Sequence, residues 1–65
     1  MRITVNQKAL ELADGATVAE ALETFGAKPP FAVALNLRFV HRQDYAGTVL
    51  QPDDQVEIVQ PVAGG

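Results

Sequence analysis

The chain ends in Val62-Ala63-Gly64-Gly65, and this end offers the clearest chemistry in the sequence. Two successive residues without side chains pass through a channel that any Cβ atom would block. The free carboxylate of Gly65 is a poor electrophile, but adenylation by ATP would supply a good leaving group. A sulfur donor would then displace AMP and leave a thiocarboxylate, a soft nucleophile that hands sulfur onward. We therefore predict Gly65 as the site of adenylation and sulfur attachment.

The residues before this end form a predicted flexible arm. Pro61 stops regular pairing of the preceding strand, and residues 61–65 extend over about 17 Å at ~3.4 Å per residue. That reach is enough to enter the active site of an enzyme docked beside the domain. We expect the arm to thread the partner's active site through Val62, Ala63 and Gly64. An inert end, frayed or vector-derived, is the alternative.

The side chains offer little else that would support catalysis. The sequence has no Cys and no Ser, which excludes thiol and serine nucleophiles, and His41 is its single histidine. A lone histidine without clustered ligands does not predict a metal site. Asp53-Asp54 follows Pro52, where Asp side chains usually bond their own turn backbone. We predict no catalytic residue, no metal and no bound cofactor, so the chain is a substrate of partner enzymes and not an enzyme.

Length and charge narrow the class of protein further. The 65 residues predict a single domain, 1–65. Five basic and eight acidic side chains give a net charge of −3, which argues against nucleic acid, since phosphate binding needs clustered Lys and Arg. The same balance favours a partner with a basic docking surface. With no signal peptide pattern and no membrane-length apolar stretch, we expect a cytoplasmic protein.

The first half of the chain predicts a hairpin and a helix. Apolar and polar residues alternate on both sides of the polar stretch 6–8, which is typical of a β-hairpin. Thr17 and Glu20 have the spacing of a capping box, in which each side chain bonds the other residue's backbone amide. Val18, Leu22 and Phe25 follow as one apolar helical stripe. Gly26 suits the left-handed position after a helix, so we expect a helix of about nine residues.

The second half predicts strands. The apolar run 31–35 is typical of a strand covered on both faces, and a bend and a short strand follow it at 36–40. Residues 41–47 are expected to be irregular or 3₁₀, and residues 51–54 to form a type I turn. The alternating residues 55–60 predict the last strand. The order predicts an α+β fold with one helix covering a mixed four- to five-stranded sheet. If the last strand pairs with the first, it lies in the middle.

The uncovered face of that sheet is the predicted docking surface. Phe39 and Val59 are its candidate residues, with burial in the core as the alternative for both. Arg38 and Arg42 are candidates for contacts at its rim, although solvated loop charges are the usual case.

Four parts of the sequence resemble the ThiS family of sulfur carriers: Ile3-Thr4-Val5-Asn6, Thr17-Val18-x-x-x-Leu22, Val33-Ala34-Leu35-Asn36, and Asp54-x-Val56-x-Ile58 with Gly64-Gly65. The resemblance covers essentially the whole chain and implies a β-grasp, ubiquitin-like fold with a flexible Gly-Gly tail. It implies adenylation of Gly65 by an E1-like, ThiF-type enzyme using ATP and Mg. It also implies a sulfur donor protein and delivery to a ThiG-type thiazole synthase in thiamin biosynthesis. The family often has Gly-Asp where this chain has Asp53-Asp54, a difference that concerns the local turn.

Three other functions fit a small domain with this ending. The small subunit of molybdopterin synthase resembles the family in fold and tail, but those chains usually run longer. A ubiquitin-like modifier would be joined to lysines through Gly65. A β-grasp interaction module would carry the same tail without using it.

Overall fold

The computed structural model describes residues 1–61 as one helix packed on a five-stranded mixed sheet. The elements are β1 (Arg2–Val5), β2 (Lys8–Glu11), α1 (Val18–Phe25), β3 (Ala32–Leu35), β4 (Arg38–Val40), a 3₁₀ turn (Arg42–Asp44) and β5 (Gln55–Val59). The sheet order is β2-β1-β5-β3-β4, with β5 parallel to β1 and antiparallel to β3. The predicted α+β architecture is confirmed, and the last strand lies in the middle of the sheet.

Both hairpins close through two-residue turns of the same type. Asn6 and Gln7 have φ values of 50° and 69°, and Asn36 and Leu37 have φ values of 49° and 69°. Two successive positive φ angles define a type I′ turn, whose twist matches that of the flanking strands. Asparagine tolerates this left-handed backbone well, whereas a bulky residue such as leucine does so at a cost. The predicted N-terminal hairpin and the bend before β4 are therefore both confirmed.

The two turn asparagines also hold the central strand. The Ile58 amide donates to Asn6 Oδ1 at 2.8 Å. The Gln55 amide donates to Asn36 Oδ1 at 2.9 Å, and Asn36 Nδ2 donates to Asp54 Oδ1 at 3.0 Å. Each hairpin thus bonds β5 through a side chain as well as through the strand ladder. These bonds fix the strand that leads to the C-terminus.

The helix begins and ends as the sequence predicts. The Glu20 amide donates to Thr17 Oγ1 and the Thr17 amide donates to Glu20 Oε1, both at 3.3 Å, which completes the capping box. Gly26 follows the helix with φ 85° and donates its amide to carbonyls of the last turn. The apolar stripe was predicted incorrectly at its end, because Phe25 is 38% exposed. It occupies the last turn, where packing against the sheet ends, and Ala21 completes the buried face instead.

The core lies between the helix and one face of the sheet. Its strand residues alternate with exposed ones, and the buried set is Ile3, Val5, Val33, Val40, Val56 and Ile58, with Leu50 and the inner helix residues. In β3 only Val33 is fully buried, while its three neighbours in the strand are partly exposed. The prediction that this strand is covered on both faces was wrong, because the single helix covers one face.

The turn before β5 lies where predicted but has a different type. The Asp54 amide donates to the Gln51 carbonyl at 3.2 Å, and Asp53 has φ 70°. A positive φ at the third position, after Pro52, makes this a type II turn and not type I. The cause is its attachment to β1, since the Asp53 amide donates to the Arg2 carbonyl at 2.8 Å. A glycine-type conformation is therefore imposed on an aspartate.

Candidate functional site

The central strand ends at Val59, and residues 60–61 lead the chain away from this end of the strand. Val59 is paired with Ala32 of β3. Beyond it, Gln60 Nε2 donates to the Lys28 carbonyl at 2.8 Å, which ties the exit to the segment after the helix. Pro61 is exposed and is the last described residue. The predicted functional residues Val62, Ala63, Gly64 and Gly65 lie outside the described residues, so their roles stay predictions.

The predicted docking residues lie on the open face of the sheet. Phe39 is 63% exposed and Val59 is 60% exposed. Phe39 pairs with Ala34, and Ala34 pairs in turn with Glu57 of the central strand. These positions alternate with the buried ones, so their side chains point away from the helix. The alternative that both residues belong to the core is therefore wrong, while their part in docking stays a prediction.

The open face combines apolar groups with an acidic centre. A hollow in it is lined by Ala34, Leu37, Gln55 and Glu57. Glu57 is exposed on the central strand, and the ion pairs found within residues 1–61 do not include it. Arg2, on the neighbouring strand, is already bonded to Glu11 at 3.1 Å. The surface thus presents a free carboxylate beside exposed hydrocarbon.

Among the remaining polar candidates, His41 contacts this face, whereas Arg38 alternates with Phe39 along β4 and Arg42 lies elsewhere. His41 is exposed and contacts Phe39 edge-on, with ring centroids 4.9 Å apart. Arg38 is exposed on β4, and Arg42 borders a separate cavity beside Phe31 and Tyr45. In the described part of the chain, no group of three or more His, Cys, Asp or Glu residues could hold a metal ion.

Leu37 and Glu57 were not predicted as functional residues from the sequence. Leu37 is 90% exposed and lies on the open face beside the predicted docking residues. The sequence did contain an indication for Leu37, because leucine follows Asn36 at a turn position where glycine is usual. Glu57 had no comparable signal, because a charged residue is ordinary on the exposed side of any alternating strand.

Comparison with known proteins places the whole chain in one family. The model of the ThiS family matches residues 1–65. The chain belongs to the ThiS family. The resemblance noted in its sequence is thereby confirmed, over the same extent. Over residues 1–61, no helix has the length and apolar character needed to cross a membrane.

Relatives within the ThiS family agree in sequence and in fold. The sulfur carrier protein ThiS of Escherichia coli (strain K12) is 36% identical over 66 residues, with 100% of both chains covered. The crystal structure of the thiamine biosynthesis protein ThiS from Geobacter metallireducens matches with a TM-score of 0.82 at 28% identity, covering 100% of both chains. The solution structure of a thiamine biosynthesis protein from the same organism also gives 0.82 at 28% identity, covering 100% of this chain and 88% of that one. These matches confirm the β-grasp fold.

Proposed function

We propose that this protein is a sulfur carrier of thiamin biosynthesis that carries sulfur on its C-terminal carboxylate. An E1-like, ThiF-type enzyme joins the Gly65 carboxylate to the α-phosphate of ATP, with Mg, and pyrophosphate leaves. A donor protein releases sulfur at the oxidation level of sulfide, this sulfur attacks the acyl carbon, AMP leaves with the electrons of the acyl–oxygen bond, and a thiocarboxylate remains. A ThiG-type thiazole synthase takes up that sulfur. Membership of the ThiS family over the whole chain, including its Gly64-Gly65 end, is the observation that carries this proposal.

The fold supports the proposal through the position of the exit. Four residues follow Pro61, and they reach about 14 Å when fully extended. An enzyme that reacts with the terminal carboxylate must therefore contact the domain close to Pro61. The exposed Phe39 and Val59 side chains offer apolar contact area on the same side of the sheet. We propose them as docking residues for the partner enzyme.

The partner enzymes supply the catalytic groups in this proposal, and the chain serves as their protein substrate. Val62 and Ala63 line the channel, and Gly64 passes its narrowest part because it lacks a side chain. ATP and Mg are bound by the activating enzyme and not by this chain. Because adenylation consumes ATP, we propose the cytoplasm as the location.

Intact-mass measurement after incubation with the activating enzyme, ATP, Mg and the sulfur donor tests the proposal. We expect one oxygen of the chain to be replaced by sulfur. Deletion of Gly65 should abolish loading while the circular dichroism spectrum stays unchanged. The control Glu23→Gln changes an exposed residue of α1 and leaves the tail intact, so it should still load. Loading of the truncated chain would refute the requirement for Gly65, because that chain ends in the carboxylate of Gly64. Stable adducts to other proteins would indicate a modifier.

A further inference from the structure

We infer that Leu37 anchors the activating enzyme at the far end of the open sheet face, and that a basic side chain of that enzyme pairs with Glu57. This inference rests on the proposed carrier function and specifies its first protein interface. It assigns a binding role to a hairpin turn that is distant in sequence from the tail.

The backbone conformation of Leu37 is unfavourable for a residue with a bulky side chain. Its φ is 69°, at the second position of a type I′ turn, where glycine is the usual residue. A bulky side chain in this region is a genuine outlier, and such strain persists chiefly where function uses it. Core packing does not explain the leucine, because the residue is 90% exposed. Neither the turn nor the core therefore accounts for an apolar residue here.

The residues around Leu37 on the open face are also apolar and exposed. Three of the five exposed large apolar residues of the described chain lie on this side of the sheet: Leu37, Phe39 and Val59. Leu37 shares a hollow with Ala34, and Ala34 pairs directly with Phe39. Leu37, Ala34 and Phe39 are thus neighbours on the open face, and Ala32 pairs with Val59 further along it. Exposed apolar residues grouped on one face of a small domain favour an interaction site on that face.

The distance of Leu37 from the tail indicates that the enzyme acting on the tail can bind at Leu37. The Asn36 amide donates to the Gln55 carbonyl, so the turn lies level with Gln55. From there to Val59 is four residues of β5, about 13 Å at ~3.3 Å per residue. A standard interface covers roughly 800 Å² per partner, equivalent to a disc of about 16 Å radius. An interface of this size centred on Val59 extends as far as Leu37, so an enzyme that takes up the short tail can contact both residues.

The charge of the surface specifies the chemistry of that enzyme. Glu57 lies between Leu37 and Val59 on the open face and forms no ion pair in the part of the chain that the structure describes. Covering a carboxylate without a compensating cation is costly. An enzyme that closes over this face must therefore place a guanidinium or ammonium group opposite Glu57. The net charge of −3 favours approach of the same basic surface.

The two hairpin turns provide a matched test for Leu37. Leu37→Gly and Gln7→Gly relieve the same backbone angle, since both residues have φ 69°. Both variants should melt at a higher temperature, by roughly 4 °C. The two variants should then differ in their KM as carrier in steady-state ATP–pyrophosphate exchange by the activating enzyme. Leu37→Gly should raise the KM for the carrier about 10-fold or more, the loss expected for one buried leucine side chain, with kcat unchanged. Gln7 lies beside Glu57 on the same face but has a polar side chain, so Gln7→Gly should raise KM by less than about threefold, as most truncations outside an interface hot spot do.

Conservative replacement checks that the side chain itself is responsible. Leu37→Met keeps an apolar side chain in the turn and should restore KM to within about threefold of the wild-type value. A stabilised Leu37→Gly with a wild-type KM would overturn the inference. An equal rise in KM for the two glycine variants would overturn it as well, because turn rigidity would then be the cause. If the wild-type carrier supports no exchange at all, the proposed function fails before the variants are compared.

Glu23 on the helix provides the control for tests of the Glu57 charge. Glu57→Lys should raise KM more than Glu57→Gln, because it places two cations opposite each other. Glu23→Gln removes the same charge from an exposed position on α1 and should leave KM unchanged. Equal effects of Glu57→Gln and Glu23→Gln would show that net charge alone matters, and would refute the specific pairing.

Discussion

Asn6 joins the first hairpin to the last strand, and replacing it tests how the fold holds the strand that leads to the tail. The parallel ladder between β1 and β5 covers only Thr4–Val5 against Gln55–Val56. The Asn6 amide donates to the Val56 carbonyl at 2.9 Å, and Asn6 Oδ1 then accepts from the Ile58 amide at 2.8 Å. The side chain therefore supplies the next hydrogen bond after the ladder ends.

The structure sets the size of the effect of Asn6→Ala. The partly buried Ile58 amide would lose its acceptor, which costs about 1–3 kcal/mol. Alanine at φ 50° would add about 1 kcal/mol of backbone strain. We expect the free energy of unfolding to fall by about 2–4 kcal/mol in total, against a stability of roughly 3–10 kcal/mol for a domain of this size.

Two further replacements separate the contributions. Asn6→Gly removes the acceptor but accepts the backbone angle, so it should lose about 1 kcal/mol less than Asn6→Ala. Asn6→Asp keeps a side-chain oxygen and tolerates the left-handed backbone, so it should stay within about 1 kcal/mol of the wild type.

Urea denaturation followed by far-ultraviolet circular dichroism measures these differences, since the chain has no Trp to serve as a fluorophore. With an m-value of about 1 kcal/mol/M, the midpoint of Asn6→Ala should fall by roughly 2 M or more. A change in unfolding free energy below about 0.5 kcal/mol for Asn6→Ala would refute the reasoning. Equal destabilisation by Asn6→Asp and Asn6→Ala would refute it too, because the acceptor oxygen would then be irrelevant.

Two further predictions concern a turn and a cap. Asp53→Gly should stabilise the protein by about 0.5 kcal/mol in thermal melts, because relief of φ 70° outweighs the added freedom of the unfolded chain. Asp53→Ala is its control, and a gain of the same size there would contradict the strain argument. Thr17→Ala should cost about 1 kcal/mol through loss of the cap. Glu20→Gln keeps an acceptor for the Thr17 amide and should cost less; the reverse order would argue against the capping box.

Local features of the fold were predictable because the residues that cause them are close together in the chain. The capping box of Thr17 and Glu20 depends on residues three positions apart, and Gly26 ends the helix without reference to any other element. Alternation located β1, β2 and β5, since the side chains of a strand point alternately to its two faces. The resemblance of the four segments to the ThiS family also depended on sequence alone.

Tertiary structure decided which surfaces are covered. The apolar run at 31–35 contains no information on the number of helices that pack against it, and one eight-residue helix covers only one face. Asp53 is left-handed because its turn is bonded to Arg2, far away in sequence. Leu37 became a candidate only when the register placed it beside Glu57 and near Phe39. Burial and exposure depend on long-range neighbours, so they followed from the assembled sheet and not from the pattern of any single segment.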